Sequence, residues 1–287
     1  GQLLAGVTGA LPHTRLAEIS SRHLTDFSGG LTAIRALVLT PPGYETGTGR
    51  YPVVFFVNEF GTRLDAAMLT DIQTHWPAMA SGAEPPMIWV FLDQQLPGGG
   101  MHAFADSASN GPWGKALTTE FIPWLDRTYR TDARASGRFL AGHATGGWAA
   151  LWAQIRYPAL FGGAYVTAPS SVDFRRVWET DIYAPGANVY RDASGARKNI
   201  ARQRDRSTNA VEDYGRIERV VSKTGGQISS YDGMYSPRGP DGRPMPLFDA
   251  KTGAVNPKVA EAWKAYDISR VLDQTWTTGG KATLQKL

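Results

Sequence analysis

The segment from Arg138 to Trp148 constrains the fold more than any other part of the sequence. It reads Arg-Phe-Leu-Ala-Gly-His-Ala-Thr-Gly-Gly-Trp, so a short apolar run passes through a glycine-rich turn into a helical pattern that ends before Pro158. Glycine is favoured where backbones approach closely or where φ is positive, because it has no Cβ. The segment therefore predicts a strand over 138–141, a tight turn and a helix over 147–156.

Similar apolar runs alternate with helical patterns along the first half of the chain. Several runs are rich in β-branched and aromatic residues, which is typical of strands buried on both faces of a sheet. Besides 138–141, the predicted strands cover residues 31–40, 51–57, 87–92 and 162–167. Besides 147–156, the predicted helices cover residues 66–79 and 113–129. This alternation predicts an α/β fold with a mostly parallel sheet flanked by helices.

The sequence changes character after Ser171. Glycine, proline, arginine and aspartate dominate from there to about Asp249, which is typical of irregular structure. We interpret residues 171–250 as an inserted lid, here called the cap segment, within a single domain over residues 1–287. One or two further helices are predicted over 256–276.

Composition excludes several classes of protein. The chain has 287 residues, of which 42% are hydrophobic and 20% charged, so it has enough apolar material for one large core. It contains no cysteine, which excludes disulfides, thiolate metal sites and a cysteine nucleophile. No apolar run approaches the roughly 20 residues that span a bilayer, so we expect no membrane segment. We expect a secreted or periplasmic protein, with a cytoplasmic location as the alternative.

We expect neither a cofactor nor a nucleic acid partner. The five histidines lack the spacing of metal ligands, and Gly98-Gly99-Gly100 lacks the Lys-Ser/Thr of a phosphate-binding loop. The net charge of +4 is small for this length, so nucleic acid binding would need a basic cluster. The densest cluster consists of Arg191, Arg197, Lys198, Arg202, Arg204 and Arg206. We interpret that cluster as a solvated face of the cap segment.

The glycine-rich turn carries the candidate chemistry. Residues 142–146, Gly-His-Ala-Thr-Gly, have the spacing of a G-x-S-x-G nucleophile elbow, with Ala144 at the position of the serine. In such an elbow the nucleophile residue has a strained backbone, and the N–H of the following residue, here Thr145, points toward an oxyanion. Ala144 has no nucleophilic atom. The alternative is an ordinary tight turn between a strand and a helix.

The sequence after the elbow also lacks a base. Hydrolases with this elbow have their triad in the order Ser, Asp or Glu, then His. The histidines, which all precede Ala144, are His13, His23, His75, His102 and His143. The downstream carboxylates Asp232, Asp241 and Asp249 lie in loop-like sequence, and without a histidine none of them completes a triad.

A second group of candidate residues follows the 51–57 strand. Asn58, Glu59 and Phe60 occupy the loop that supplies a second oxyanion N–H in folds with this elbow, and we assign that N–H to Glu59 or Phe60. Asn58 is a candidate substrate contact. The alternative is a loop with no role beyond connecting the strand to the next helix.

Five further residues are candidate substrate contacts: His102, Asn110, Trp113, His143 and Trp148. His102 lies after the 87–92 strand, near the sheet edge where ligands bind in open α/β folds. His143 directly precedes the nucleophile position. Each has a structural alternative, because Trp113 and Trp148 lie at helical positions typical of core packing, and either histidine is suited to hydrogen bonding within a turn.

Four segments together resemble the esterase family of α/β-hydrolases, which includes feruloyl-type, enterochelin-type and S-formylglutathione esterases. They are FADSASNGPWG at 104–114, GHATGGW at 142–148, YPALFGG at 157–163 and SVDFR at 171–175. The resemblance implies an α/β-hydrolase fold, a serine at position 144 and a small-molecule carboxylic ester as substrate. It also implies an acid and a histidine beyond the last two sheet strands. Nothing up to Leu287 matches them, so we expect the C-terminal strands to be absent from this chain.

Three hypotheses fit these features. The first, which we favour, is a serine esterase disabled by a Ser-to-Ala exchange at position 144, with its acid and histidine outside this chain. The second is a natural pseudo-hydrolase that binds a ligand or partner without turnover. In the third, a second polypeptide completes the sheet, because an apolar edge after 162–167 needs cover.

Overall fold

The computed structural model describes residues 13–62, 64, 66–203, 206–222 and 226–280. The strands are β1 Thr14–Ser20, β2 Ala33–Leu39, β3 Val53–Val57, β4 Ile88–Leu92, β5 Asp106–Ser107, β6 Gly111–Pro112, β7 Arg138–His143, β8 Gly163–Thr167, β9 Asn199–Gln203 and β10 Arg206–Ala210. Six of the described strands form one sheet in the order β1-β2-β4-β3-β7-β8. β1, β2 and β4 pair antiparallel, whereas β4, β3, β7 and β8 run parallel. The predicted α/β fold with a mostly parallel sheet is confirmed.

The helices connect these strands and cover the sheet. They are α1 Arg22–Ser28, α2 Ala66–Ser81, α3 Trp113–Ala116, α4 Ile122–Thr128, α5 Ala144–Arg156, α6 Val211–Val221, α7 Gly226–Tyr235, α8 Pro257–Trp263 and α9 Ile268–Thr275. A five-residue π-helical turn, Leu117–Phe121, joins α3 to α4. Among the described helices, none combines the length and the apolar character that a membrane crossing needs.

The predicted elements agree with the structure to within a few residues, apart from two differences. The helix after the elbow begins at Ala144 rather than Gly147, because the chain enters the helix directly from the turn. The predicted helix over 113–129 is interrupted by the π-helical turn. The strand β1, the hairpin β9–β10 and the helices α1, α6 and α7 were not predicted, since their sequences are rich in polar residues and glycine.

Both faces of the sheet are buried. Along β2, β3 and β4, alternate side chains enter two different clusters, because successive residues of a strand face opposite sides. Val38, Phe55 and Val90 belong to the main cluster, which also includes the rings of α3 to α5. Leu39 and Phe91 belong to the smaller cluster beneath α2. Because β3 lies between β4 and β7 and runs parallel to both, the carboxyl ends of these three strands lie side by side.

The cap segment shares the main core through α7. The ring of Tyr235 lies with its centroid 5.0 Å from that of Trp148, on α5, and 5.2 Å from that of Phe174. It also contacts Trp263 of α8 at 5.0 Å. The end of α7 is therefore packed against the helix that follows the elbow.

Candidate active site

The elbow has the backbone that its sequence predicts. β7 ends at His143 in an extended conformation with φ −122° and ψ 147°, and α5 begins at the next residue. Ala144 has φ 51°, in the region that side-chain-bearing L-residues rarely adopt. Residues held in such conformations cluster at active sites, where the surrounding structure keeps them in place. The predicted unusual backbone at Ala144 is thus confirmed.

Two glycines make this turn possible. A Cβ built on Gly146 would lie 2.5 Å from the carbonyl oxygen of Asn58 and still closer to that of Val57. A Cβ on Gly142 would overlap the backbone of Gly146 in the same way. The first turn of α5 therefore lies directly against the end of β3, with no room for a side chain between them.

Thr145 is the second residue of α5 and is fully buried. The first N–H groups of a helix have no partner inside the helix, and the helix dipole makes this end favourable for negative charge. The Thr145 N–H therefore belongs to a group of donors near Ala144. Its hydroxyl lies 3.4 Å from Nε2 of Gln94, which follows β4.

The loop after β3 lies against this helix start. Asn58 is buried, and its carbonyl oxygen accepts a hydrogen bond from Nε2 of Gln94. Glu59 is exposed and Phe60 is half-buried. Gln94 thus bridges the loop and the elbow, and sequence reasoning missed it because a glutamine after a strand carries no motif.

The other face of the elbow contacts the end of β8. Nδ1 of His143 lies 2.9 Å from the hydroxyl of Thr167, and the His143 side chain is exposed. The N–H of Ser170 donates to the carbonyl of Ala144 at 2.9 Å. The structure therefore places His143, Ala144 and Thr145 beside the start of the loop at Asn58.

Three other candidates lie in the core instead of beside Ala144. His102 is fully buried, and its ring stacks on Trp113 with centroids 3.6 Å apart. Burial lowers the pKa of His102 well below its usual value, against a smaller opposite effect of a backbone hydrogen bond at Asp93. Trp148 is also fully buried and stacks on Trp152 at 5.2 Å. Their surroundings match the structural alternative, because a side chain without exposed surface has no contact with a ligand in this conformation.

Asn110 is half-buried and supports the same region of the fold. Its side-chain amide donates to the carbonyl of Met101 at 3.1 Å, and its own carbonyl accepts from the indole N–H of Trp113 at 2.9 Å. Both bonds are local, so Asn110 orders the loop between β4 and α3.

A cleft of about 490 Å³ opens next to the elbow, on the side of the cap segment. Its lining comprises Pro169, Ser170, Ser171, Arg176, Trp178, Glu179, Asn199, Ile200, Gln227, Ile228 and Tyr231. Ser170 connects the two features, since it lines the cleft and also binds the carbonyl of Ala144. Sequence reasoning missed Trp178, Glu179 and Tyr231, because they lie in a segment without a recognisable motif.

Two arginines of the basic cluster pair with acidic residues, whereas the side chains of Arg202 and Arg206 lie outside the described part of the structure. Arg191 contacts Glu212 at 2.9 Å, and Arg197 contacts Asp213 at 2.5 Å. The ammonium group of Lys198 donates to the hydroxyl of Thr180 at 2.9 Å. Arg204 lies outside the described residues. The paired charges weaken the case for a phosphate-binding surface at these positions.

Two of the downstream carboxylates, Asp232 and Asp249, accept hydrogen bonds from backbone N–H groups of the chain. Burial raises the pKa of Asp232 to about 7, and the backbone N–H of Leu247 donates to its carboxyl group at 2.8 Å. Asp249 accepts from the N–H groups of Lys251 and Thr252, which hold its pKa below the usual range. In the part of the chain that the structure describes, no group of three or more His, Asp or Glu side chains is arranged to hold a metal ion.

The strand order, the left-handed residue between β7 and α5 and the closely packed glycines define an α/β-hydrolase-like fold. The chain belongs to the Esterase family, described as "Putative esterase", whose model matches residues 32–211. The family resemblance of the sequence is therefore confirmed.

Individual proteins and solved structures show more distant similarity to the chain. The chain is 29% identical over 137 residues to Esterase Rv1288 of Mycobacterium tuberculosis strain ATCC 25618 / H37Rv, over 46% of this chain and 27% of that protein. It thus spans about a quarter of the length of that curated relative. A ferulic acid esterase is 19% identical with a TM-score of 0.46, over 56% of this chain and 59% of that one. An S-formylglutathione hydrolase from Agrobacterium tumefaciens is 16% identical with a TM-score of 0.46, over 57% and 60%.

Proposed function

We propose that the chain is the scaffold of a serine carboxylic-ester hydrolase in which Ala144 occupies the nucleophile position. The observation that carries the proposal is the φ of 51° at Ala144, between a strand and a helix and beside glycines that admit no Cβ. This strain has no evident packing benefit for a methyl side chain. It does have a catalytic one, because it exposes the residue's side chain at the tip of the turn, next to the helix N-terminus.

The surrounding groups fit ester hydrolysis. With a serine at position 144, the hydroxyl oxygen would attack the ester carbonyl carbon, and a base would take its proton. The N–H of Thr145 and an N–H from Glu59 or Phe60 would then stabilise the negative oxygen of the tetrahedral intermediate. The alcohol would leave with a proton, and water would release the acyl group. With Ala144 the first bond does not form, so the proposed state binds an ester without cleaving it.

Chemical rescue tests this proposal. Ala144→Ser supplies the hydroxyl but no downstream imidazole, so we expect only faint hydrolysis of p-nitrophenyl acetate from the oxyanion donors and binding. Adding free imidazole should then raise the rate in a concentration-dependent, saturable way. Ala144→Gly is the matched control, since it keeps the elbow and has no hydroxyl.

Two outcomes would contradict the proposal or its details. If imidazole raises the Ala144→Ser rate no more than that of Ala144→Gly, position 144 is not a nucleophile position. If Ala144→Ser alone reaches a kcat on the order of 10 s⁻¹, which is ordinary for enzymes, a base is already present. The first candidate would then be His143, whose ring is exposed beside the elbow.

The second candidate function is a natural binding module, and Ala144 itself favours it, because the sequence has no nucleophile there. The two readings differ in what the rescued variant does: a disabled esterase regains turnover, whereas a binding module retains only affinity. A further strand, from this protein or from a second polypeptide, would pair at β8, one of the two outer strands of the described sheet.

A further inference from the structure

The cleft beside the elbow is built around a strained turn. Val177 and Thr180 exchange two backbone hydrogen bonds, of 2.9 and 2.8 Å, so Trp178 and Glu179 are the two central residues of a tight hairpin turn. Both have positive φ, 46° for Trp178 and 63° for Glu179. Turns with two positive φ values strongly favour Asn-Gly or Asp-Gly, because larger residues are strained there.

The geometry of the turn therefore does not explain why tryptophan and glutamate occupy these two positions. Trp178 and Glu179 both line the cleft. The indole of Trp178 is held in place by edge-on contacts with Tyr231 at 6.0 Å and Phe248 at 6.1 Å. Strain of this kind persists where it positions groups for a ligand. The turn thus places an aromatic residue with a fixed ring and an acidic residue in the lining of the cleft.

Beside the Trp178 ring, the lining also supplies groups that both donate and accept hydrogen bonds. The hydroxyls of Ser170 and Tyr231 lie 3.1 Å apart, and Nε2 of Gln227 donates to the Tyr231 oxygen at 3.3 Å. Burial raises the pKa of Tyr231, so its phenol stays neutral at physiological pH. Asn199 adds a second side-chain amide to the lining. Amides and hydroxyls of this kind match the hydroxyl groups of a ligand, which likewise donate and accept.

The charges argue against a simple anion or cation as ligand. Arg176 and Glu179 both line the cleft and have opposite signs, so the lining charges balance. A neutral ligand with many hydroxyls and one apolar face fits this lining. Its C–H face would pack on Trp178, and its hydroxyls would bind the amide and hydroxyl groups.

We propose that this cleft binds a carbohydrate group, with Trp178 and Glu179 as its specificity-determining residues. The identification of that group as part of the ester substrate rests on the proposed function above. The link is Ser170, which lines the cleft and donates to the carbonyl of Ala144. Ser170 thus joins the cleft in which the sugar would bind to the backbone of the residue at the nucleophile position.

Titration calorimetry with neutral disaccharides tests the proposal directly. The protein with Ala144 needs no modification, because no turnover consumes the probe. We expect saturable, millimolar binding of cellobiose or maltose. Trp178→Ala should weaken that binding at least about tenfold, as expected for loss of a central aromatic contact.

Glu179→Gly keeps the test decisive if Trp178→Ala does not fold. Glycine relieves the positive φ at 179, so this variant should melt about 2 °C higher than the parent and yet bind the disaccharide several-fold more weakly. A merely structural role for Glu179 would change the melting temperature without changing affinity. Glu179→Gln separates the charge from the backbone, because it retains the strain and removes the carboxylate.

Three outcomes would overturn the proposal. They are the absence of saturable binding of both disaccharides, equal binding by the parent and Glu179→Gly, and binding of acetate or hexanoate in preference to the sugars. None depends on catalysis. Failure of imidazole rescue at position 144 therefore leaves the carbohydrate proposal standing, and loss of sugar binding leaves the elbow assignment standing.

Discussion

The elbow and the turn at Trp178–Glu179 both hold side-chain-bearing residues at positive φ, yet the structure supports them differently. At the elbow, Ala144 is fixed by long-range packing, because Gly146 lies directly against the backbone of β3. At the turn, support comes from two local hydrogen bonds between Val177 and Thr180 and from contacts of the Trp178 ring with Tyr231 and Phe248. The backbone strain at the elbow is thus maintained by close backbone packing, and the strain at the turn by local hydrogen bonds and side-chain contacts.

The largest expected effect on stability is at the elbow. Gly146→Ala places a methyl group inside the van der Waals radius of the Val57 and Asn58 carbonyls, so the backbone has to move. We expect a loss of about 3 to 5 kcal/mol in the free energy of unfolding, measured by urea denaturation, or failure to fold. The control is Gly163→Ala, whose new Cβ would meet only Phe139 at 4.0 Å. Equal effects of the two substitutions would refute the close approach at the elbow.

Two buried groups should change the stability in opposite directions between pH 7 and pH 5, His102 on the sheet side and Asp232 in the cap segment. The pKa of Asp232 is raised to about 7, so its contribution to stability grows as the pH falls through that value. The pKa of buried His102 is lowered, so its stabilising contribution is complete above the unfolded value of about 6.5 and is lost as the pH falls below it.

The expected loss from His102 is up to about 1.4 kcal/mol for each pH unit below 6.5, until the pH reaches the folded pKa. Urea unfolding of the parent and of His102→Gln between pH 7 and pH 5 measures this loss as a difference, because Asp232 titrates in both proteins. The parent should lose stability relative to the variant as the pH falls. His143→Gln removes an exposed ring as a control. A parent and a His102→Gln variant with parallel pH profiles would contradict the neutral, buried state of His102.

The smallest expected effect measures the strain itself. Ala144→Gly should stabilise the protein by about 1 kcal/mol, because glycine tolerates positive φ. The same change at Ala149, inside α5, should instead destabilise by about 1 kcal/mol or more. If Ala144→Gly stabilises no more than Glu179→Gly does, the two turns carry similar strain despite their different supports; a loss of stability at 144 would contradict strain at the elbow.

The same contrast explains what the sequence could predict. Gly142 and Gly146 are spaced around Ala144 in a pattern that only a close strand–helix approach requires, so the elbow, its backbone and its neighbouring strands followed from the sequence. The buried runs of β3 and β4 were equally plain, since they are apolar throughout.

The turn in the cap segment gave no such signal. Positive φ at Trp178 and Glu179 contradicts local residue preferences, so it depends on the bonds between Val177 and Thr180 and on ring contacts made far along the chain. The burial of His102 was hidden for a related reason. Its neighbour in the stack, Trp113, reaches it only after the loop between β4 and α3 has folded.

The π-helical turn at Leu117–Phe121 bears on how this family is aligned and redesigned. A π turn holds one residue more than an α-helical turn, so it is the mark of an inserted residue that the helix absorbed as a bulge. Because the bulge absorbs the extra residue, α3 and α4 on either side of it keep the relative rotation of a regular helix. Removing one residue there should therefore leave Trp113 stacked on His102 and change only the backbone hydrogen bonds around Leu117–Phe121. A relative with a regular helix at this point should align with a gap of one residue.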